Sequence, residues 1–295
     1  MRRSVRRRFV LFAWGWFVTF ALNGGAFPYR LGLVPNVPEL GEAGMRGSSC
    51  NTCHTTGGGT ARNPFGLDWE ATWGGGRDAG LTPAEAFAPL AALDSDGDGF
   101  TNAQELDLRT HPGNAESRPL RFVRILDAGL NTLSVPVRPG PDFRVADLVD
   151  VLGEGLVRFI VWDVEAKQFR LYEPGDDLPV TGQAAFFVEM AAPLRLELVG
   201  RAWDEDVVTL APGINFVALP RRPTVPLRLS DLLGGVGLGI ALSPDGSRFL
   251  AHHPRFSAEA ATNVLLEGGK GYLVISPTAR TVSIVGDAWD GETVE

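Results

Sequence analysis

The sequence predicts a mainly β protein, with a small α+β calcium-loop domain at its N-terminal side followed by two duplicated small β-domains. Three observations carry that expectation. The 295 residues include 36 glycines and 21 prolines, which interrupt the chain too often for long helices. Gly129-Leu130-Asn131 followed by Pro136 recurs as Gly213-Ile214-Asn215 followed by Pro220, a displacement of 84 residues (213 − 129). Apolar runs such as Phe159-Ile160-Val161-Trp162 and Phe186-Phe187-Val188-Glu189-Met190 sit between turn residues, as strands do. The expected divisions are a leader over 1–26, a cofactor-bearing domain over 27–118, and β-repeats over 119–204 and 205–295.

The leader is read from Arg2, Arg3, Arg6, Arg7 and Arg8, the apolar stretch Phe9 to Leu22, and small residues ending at Ala26, after which cleavage is expected. Fourteen apolar residues (9 to 22) fall short of the roughly 20 that span a bilayer, so a signal peptide is favoured over an anchor. Arg6-Arg7-Arg8-Phe9-Val10 also fits a loose twin-arginine pattern, although the apolar stretch suits general export better. Loss of the leader removes five arginines and takes the formal charge from −8 to −13 (−8 − 5). Such a balance excludes nucleic acid as a partner, because phosphate binding needs a basic face. The expected setting is extracytoplasmic: periplasm, cell surface or medium. No later run is long enough to span a membrane.

Between the leader and the repeats, Thr82-Pro83-Ala84-Glu85 signals a helix start, with an N-cap threonine, a first-turn proline and a glutamate three residues on. That short helix is expected to break near Pro89 and lead into Asp94-Ser95-Asp96-Gly97-Asp98-Gly99-Phe100-Thr101-Asn102-Ala103-Gln104-Glu105. Calcium takes six to eight hard oxygens, and this spacing sets Asp94, Asp96 and Asp98 at loop positions one, three and five. Gly99 permits the sharp turn and Phe100 offers its carbonyl. Asn102 falls at position nine, and Glu105 closes the shell at position twelve. The plainer alternative is a solvated acidic turn. Thr101, where paired EF-hands carry an aliphatic residue, points to a lone structural loop and not a sensor. A second helix is expected over Asn102 to Leu108, followed by a linker over Pro112 to Pro119.

The only two cysteines lie in Cys50-Asn51-Thr52-Cys53-His54. Two thiols at this spacing can add across haem vinyl groups while the adjoining histidine meets the iron, which makes covalent haem c one reading. His111 is then the nearby candidate for the sixth ligand, unless the iron is five-coordinate. A Cys50–Cys53 disulfide with His54 as a polar neighbour is the other reading, and both stand open on the sequence. Structural zinc lacks enough nitrogen or sulfur ligands.

Phe27-Pro28-Tyr29, Val34-Pro35-Asn36, Arg62-Asn63-Pro64-Phe65-Gly66, the Trp69 and Trp73 pair, and the acidic loop with Thr101-Asn102 and Glu105-Leu106 together resemble the temptin-type domain over residues 27 to 116. The resemblance implies a small extracellular module with a calcium-type loop at Asp94, Asp96, Asp98 and Glu105, and with structural, disulfide-forming cysteines. His54 after Cys53 departs from it and looks more like a cytochrome c attachment site. The repeats resemble the Gly-Trp-Asn-x-x-Ser-x-Pro modules of bacterial exported proteins, with Leu130 or Ile214 in place of the tryptophan. That resemblance implies no defined activity.

The copies also share Arg144, Asp147 and Leu148 with Arg228, Asp231 and Leu232, and close on Gly200-Arg201-Ala202-Trp203-Asp204 and Gly286-Asp287-Ala288-Trp289-Asp290. One short helix per copy is expected, over Asp147 to Leu152 and Ser230 to Leu233, with Ser230 as a cap. Trp203 and Trp289 read as core plugs more readily than sugar platforms. His252-His253 reads as a solvated turn, and Asp176-Asp177 and Asp204-Glu205-Asp206 as exposed loop charge. No nucleophile or acid/base constellation stands out. The expectation is therefore a non-enzymatic exported calcium-binding protein that meets a protein or glycan partner at the cell surface. The alternative is a monohaem electron carrier attached at Cys50 and Cys53.

Overall fold

The computed structural model describes residues 28–36, 48–56 and 60–292; the leader lies outside them. The protein is mainly β, built of several small antiparallel sheets with few, short helices. Among the described residues no helix is long and apolar enough to cross a membrane.

The N-terminal part is helical and turn-rich. After a 3-10 turn over Pro28–Leu33 come α1 (Ser48–Asn51), α2 (Pro64–Trp73), α3 (Pro83–Phe87) and α4 (Asn102–Asp107). Its core is Leu33, Val34, Phe65, Trp69, Ala86, Leu90 and Leu106, with Cys53 and Trp73 packed against it. Helix α3 starts on the Thr82–Glu85 capping box and ends at Phe87, before Pro89. Helix α2 was not anticipated, although Asn63-Pro64 is a cap followed by a first-turn proline: Asn63 accepts from the Gly66 N–H at 2.9 Å. Beneath Trp69 lies a buried ion pair. Arg30 Nε meets Asp78 Oδ2 at 2.6 Å, and the Trp69 indole donates to the same oxygen at 2.9 Å.

The remainder repeats one topology. The first copy contains β1 (Leu120–Leu126), β2 (Gly129–Ser134), α5 (Val145–Leu152), β3 (Leu156–Asp163), β4 (Gln168–Leu171), β5 (Ala185–Met190) and β6 (Leu194–Gly200). The second contains β7 (Val207–Leu210), β8 (Gly213–Val217), β9 (Arg222–Pro223), α6 (Leu229–Leu233), β10 (Leu238–Leu242), β11 (Phe249–His252), β12 (Tyr272–Ser276), β13 (Arg280–Ser283), β14 (Gly286–Asp287) and β15 (Gly291–Glu292). Sheet order β2-β5-β3-β4 in the first copy matches β8-β12-β10-β11 in the second, and the β1–β6 ladder matches β7–β13. Local chemistry matches too. Asn131 donates to the carbonyls of Asp127 and Gly129, and Asn215 to those of Ala211 and Gly213. Each asparagine follows a glycine at φ 94° or 98°, a left-handed turn that glycine adopts without strain.

The copies share one continuous core, which runs from Phe122 through Trp203 to Trp289. Ser134 N donates to Gly269 O at 2.9 Å, and its counterpart Ala218 N donates to Gln183 O at 3.0 Å, so the two copies clasp reciprocally. Phe187 stacks on Phe216 between them with centroids 4.6 Å apart. Strand β5 is buried on both faces, Phe186, Val188 and Met190 toward the main core and Ala185 and Phe187 toward the other copy. That is why Ala185 to Val188 run apolar without alternation, Glu189 being the one polar residue of the strand. Finally β15 pairs in parallel with β1, Phe122 opposite Gly291, so the C-terminal segment returns to the first copy.

Three local expectations are corrected. Helix α6 is not capped by Ser230: Arg228 is the cap residue, and the Asp231 carboxylate accepts its N–H at 2.7 Å, as Asp147 does for Arg144 in α5. His252 is not in a solvated turn but is 1% exposed at the end of β11. Burial, and then the neighbouring His253, hold its pKa below the usual histidine value. The stretch expected to be a linker is folded as turns, with Asn114 N on His111 O and Ser117 N on Asn114 O. It docks against Asn63: a Cβ on Gly113 would lie 2.5 Å from the Asn63 amide.

Candidate functional site

The acidic loop is closed by its own hydrogen bonds. Asp94 accepts from the N–H groups of Gly97 and Gly99 at 2.8 and 2.9 Å, and Asp98 accepts from Phe100 N at 2.9 Å. Gly97 and Gly99 take φ of 79° and 94°, which reverses the backbone so that the carboxylates converge. One oxygen from each of Asp94, Asp96 and Asp98 falls within 4.8 Å of the others. Ser95 points away and donates to Asp68 Oδ2 of α2 at 2.7 Å, which ties the loop to that helix.

Glu105 enters from α4. Thr101 caps this helix through a box with Gln104, so its first turn begins where the loop ends; the Glu105 carboxylate is not among the three whose oxygens fall within 4.8 Å of one another. Glu105 is fully buried. One carboxylate oxygen is 3.5 Å from the Thr110 hydroxyl, and Oε2 has no hydrogen-bond partner; Oδ2 of Asp96 and Oδ2 of Asp98 are likewise buried without one. Burial pushes the Glu105 carboxyl up to about 9, with the charges of Asp96, Asp98 and Asp94 adding to the shift. Asp96 is also raised, by burial first and then by Asp98.

Asn102, at position nine, stands behind the loop. It is fully buried; its amide donates to Leu90 O at 2.8 Å and its carbonyl accepts from Ser95 N at 3.4 Å. It braces the loop from behind, between the entering segment and α4. Phe100 is 3% exposed, and outside the loop Arg121 of β1 lies over its ring at 4.9 Å while donating to Gly99 O at 3.4 Å. The loop is thus fastened to the first β-copy.

Cys50 and Cys53 are separate thiols with no bond between them. They flank a tight turn in which the N–H groups of Cys53 and His54 both reach Cys50 O, at 3.2 and 3.0 Å. Cys53 leans on the Phe65–Trp69 core, and burial pushes its thiol up to about 11. A Cβ on Gly66 would lie 2.0 Å from Cys53 O, so only glycine lets α2 approach this turn. Asn63 donates to the carbonyls of Asn51 and Thr52 at 2.8 and 3.0 Å, locking the turn to α2. His54 Nδ1 is 2.7 Å from Thr60 O; a carbonyl only accepts, so Nδ1 carries the proton and Nε2 is the basic nitrogen. His54 and His111 line one open cleft of about 620 Å³, together with Asn51, Asn63, Asn114 and Glu116.

No known protein family, curated protein or solved structure matches this chain.

Proposed function

We propose that the protein is an exported, non-enzymatic binding protein whose N-terminal module is held in shape by one calcium ion at Asp94, Asp96, Asp98, the Phe100 carbonyl and Glu105. The observation that carries this reading is Glu105, fully buried with an unpartnered oxygen beside two aspartates whose own outer oxygens are also buried and unpartnered. Among the described residues none of these four acids forms an ion pair, so their charges repel one another, and a hard divalent cation is the partner that such an oxygen set suits. The temptin-type resemblance supports the same ligands. Asn102, engaged behind the loop, is assigned a bracing role instead. The paired β-copies then act as a platform toward a protein or glycan at the cell surface.

The test is calorimetric titration of calcium into the chelated full chain, with a melting scan alongside. One site is expected, weakened about a hundredfold or more in Glu105→Gln, and saturating calcium should raise the N-terminal melting transition. Absence of binding heat together with an unmoved transition would overturn the reading.

A haem-bearing electron carrier is the second reading, favoured by the Nε2 of His54, which makes no hydrogen bond among the described residues, and by His111 on the same cleft. The side chains around that cleft fit the group poorly: besides the two histidines they are amides, hydroxyls and Glu116 with Pro64 the one apolar side chain, where a porphyrin face calls for apolar walls, and Cys53 packs against the core. An absorption spectrum and intact mass of protein made with haem-attachment machinery separates this reading from the first.

A further inference from the structure

The duplication supplies an internal control for charge. Gly200-Arg201 in the first copy corresponds to Gly286-Asp287 in the second, and Arg138 corresponds to Arg222 (138 + 84). Both pairs are cross-strand neighbours. Arg222 stands opposite Asp287, so opposite charges face each other. Arg138 stands opposite Arg201, with reciprocal backbone hydrogen bonds of 2.8 and 2.9 Å, so two guanidinium groups share one face of the ladder. Like charges directly opposite are unfavourable. The same glycine packing holds both pairs: a Cβ on Gly200 would lie 2.5 Å from Arg138 O, and one on Gly286 would overlap Arg222 O. The backbone is therefore the same, and only the sign of one side chain differs.

The surroundings of the arginine pair do not cancel its charge. Arg138 meets a single carboxylate, Asp204 Oδ2 at 3.4 Å, on a side chain 92% exposed, and its guanidinium lies 6.0 Å from the Trp203 ring centroid. Arg201 is half-buried and its guanidinium makes no hydrogen bond among the described residues. Arg109, which has contacts of its own, follows α4 in a left-handed conformation and brings a third positive charge near Arg201. Burial, then Arg109 and Arg138, lower the Arg201 pKa from its ordinary value against an opposing pull from Asp204, which records the same crowding. The counterpart of Asp204 is Asp290, which is engaged by Arg118 at 2.5 Å and by Arg121 N at 3.0 Å. In a chain of formal charge −8, a positive pair at this one place is specific to the first copy.

We propose that Arg138 and Arg201, at the junction of the N-terminal module and the first β-copy, bind a tetrahedral oxyanion, a phosphate or sulfate group, between their guanidinium forks. Two forks on one face give an oxyanion parallel N–H donors, the geometry in which arginine outperforms lysine. The surrounding negative charge limits the site to weak, salt-sensitive binding unless the anion is carried on a polymer that repeats it.

The experiment titrates the full chain at low ionic strength with inorganic phosphate, inorganic sulfate and heparin, following heat. The variants are Arg201→Asp, the residue the fold accepts at this place in the second copy, and the neutral Arg201→Gln. Saturable binding that falls about tenfold or more in both variants is expected. If the free ions and heparin bind equally per anionic group, a soluble anion is the source; heparin binding about tenfold tighter assigns a polymer-borne group. Binding unchanged in both variants, or no saturable binding to the parent chain of any probe up to about 10 mM, would overturn the proposal.

Discussion

Among the described residues, the N-terminal module gathers seven buried hydrophobic side chains around Trp69, while the paired β-copies join thirty into one core. Beside those seven sit Asp78, Asn102 and Glu105, all fully buried. Among the described residues the β-copies bury no acid of that kind; their buried asparagines and Ser276 bond to backbone carbonyls, and the buried Arg124 donates to the carbonyls of Thr132 and Gly269. Hydrophobic burial scales with apolar area, so the β-half stands on its own core, whereas the small module depends on compensation of charge. The contrast teaches that one chain holds two stability regimes, joined where Arg121 of β1 donates to Gly99 O of the acidic loop.

The largest effect should come from breaking charge compensation. Asp78→Asn removes the acid that holds Arg30 and the Trp69 indole, and breaking such a buried pair is expected to cost the N-terminal module about 3 kcal/mol or more. The measurement is a calorimetric scan of the calcium-loaded chain, in which the transition of the β-copies stays in place. An equal fall in both transitions would collapse the comparison into one cooperative unit. The reciprocal change is Leu210→Ala, in a fully buried position of β7. A loss of about 2–4 kcal/mol is expected, the same with calcium or chelator present. Calcium rescue of Leu210→Ala would show that the ion stabilises the β-half as well.

What was legible in the sequence divides along the same line. The capping box at Thr82 and the spacing of Asp94, Asp96, Asp98 and Glu105 are local, and their residue types fix conformation within a turn or two. The role of Asn102 was not legible, because its partner is the Leu90 carbonyl twelve residues back, a contact made only by the fold. Helix α2 carried its signal in Asn63-Pro64, masked by the glycine-rich stretch before it. The mainly β class followed from turn residues and apolar runs. The clasp between copies did not, since pairing Ser134 with Gly269, or β15 with β1, depends on contacts more than a hundred residues apart. The apolar run Ala185 to Val188 in β5 was the one sign that both faces of a strand are covered.

Smaller effects sharpen the equivalence of the copies. Asn131 and Asn215 make matching side-chain bonds under matching glycine turns, so Asn131→Ala and Asn215→Ala should each cost about 1–3 kcal/mol. Equilibrium unfolding in urea reads both. A difference above about 1 kcal/mol would mean that Val274 O, which also accepts from Asn215 at 3.3 Å, or the neighbouring module makes the copies mechanically unequal.

A further effect is a pH dependence confined to the N-terminal module. The Glu105 carboxyl titrates near 9 in the folded, calcium-free chain against an ordinary 4.5, so between those values the folded state holds a proton that the unfolded state has released. Calcium-free stability is therefore full below about pH 4.5 and declines as pH rises through the window toward 9, the reverse of a salt-bridged acid. Calcium must displace that proton. Its affinity should rise with pH between 6 and 8 by up to about tenfold per unit, with up to about one proton released per ion. Titrations in two buffers of different ionisation heat measure the release directly. Glu105→Gln, which has no proton to give, should remove that share of the release and the steep part of the slope. A flat affinity from pH 6 to 8 in the parent chain would place the Glu105 carboxylate outside the ion's shell and return the module's stability to its seven-residue core and the Arg30 pair.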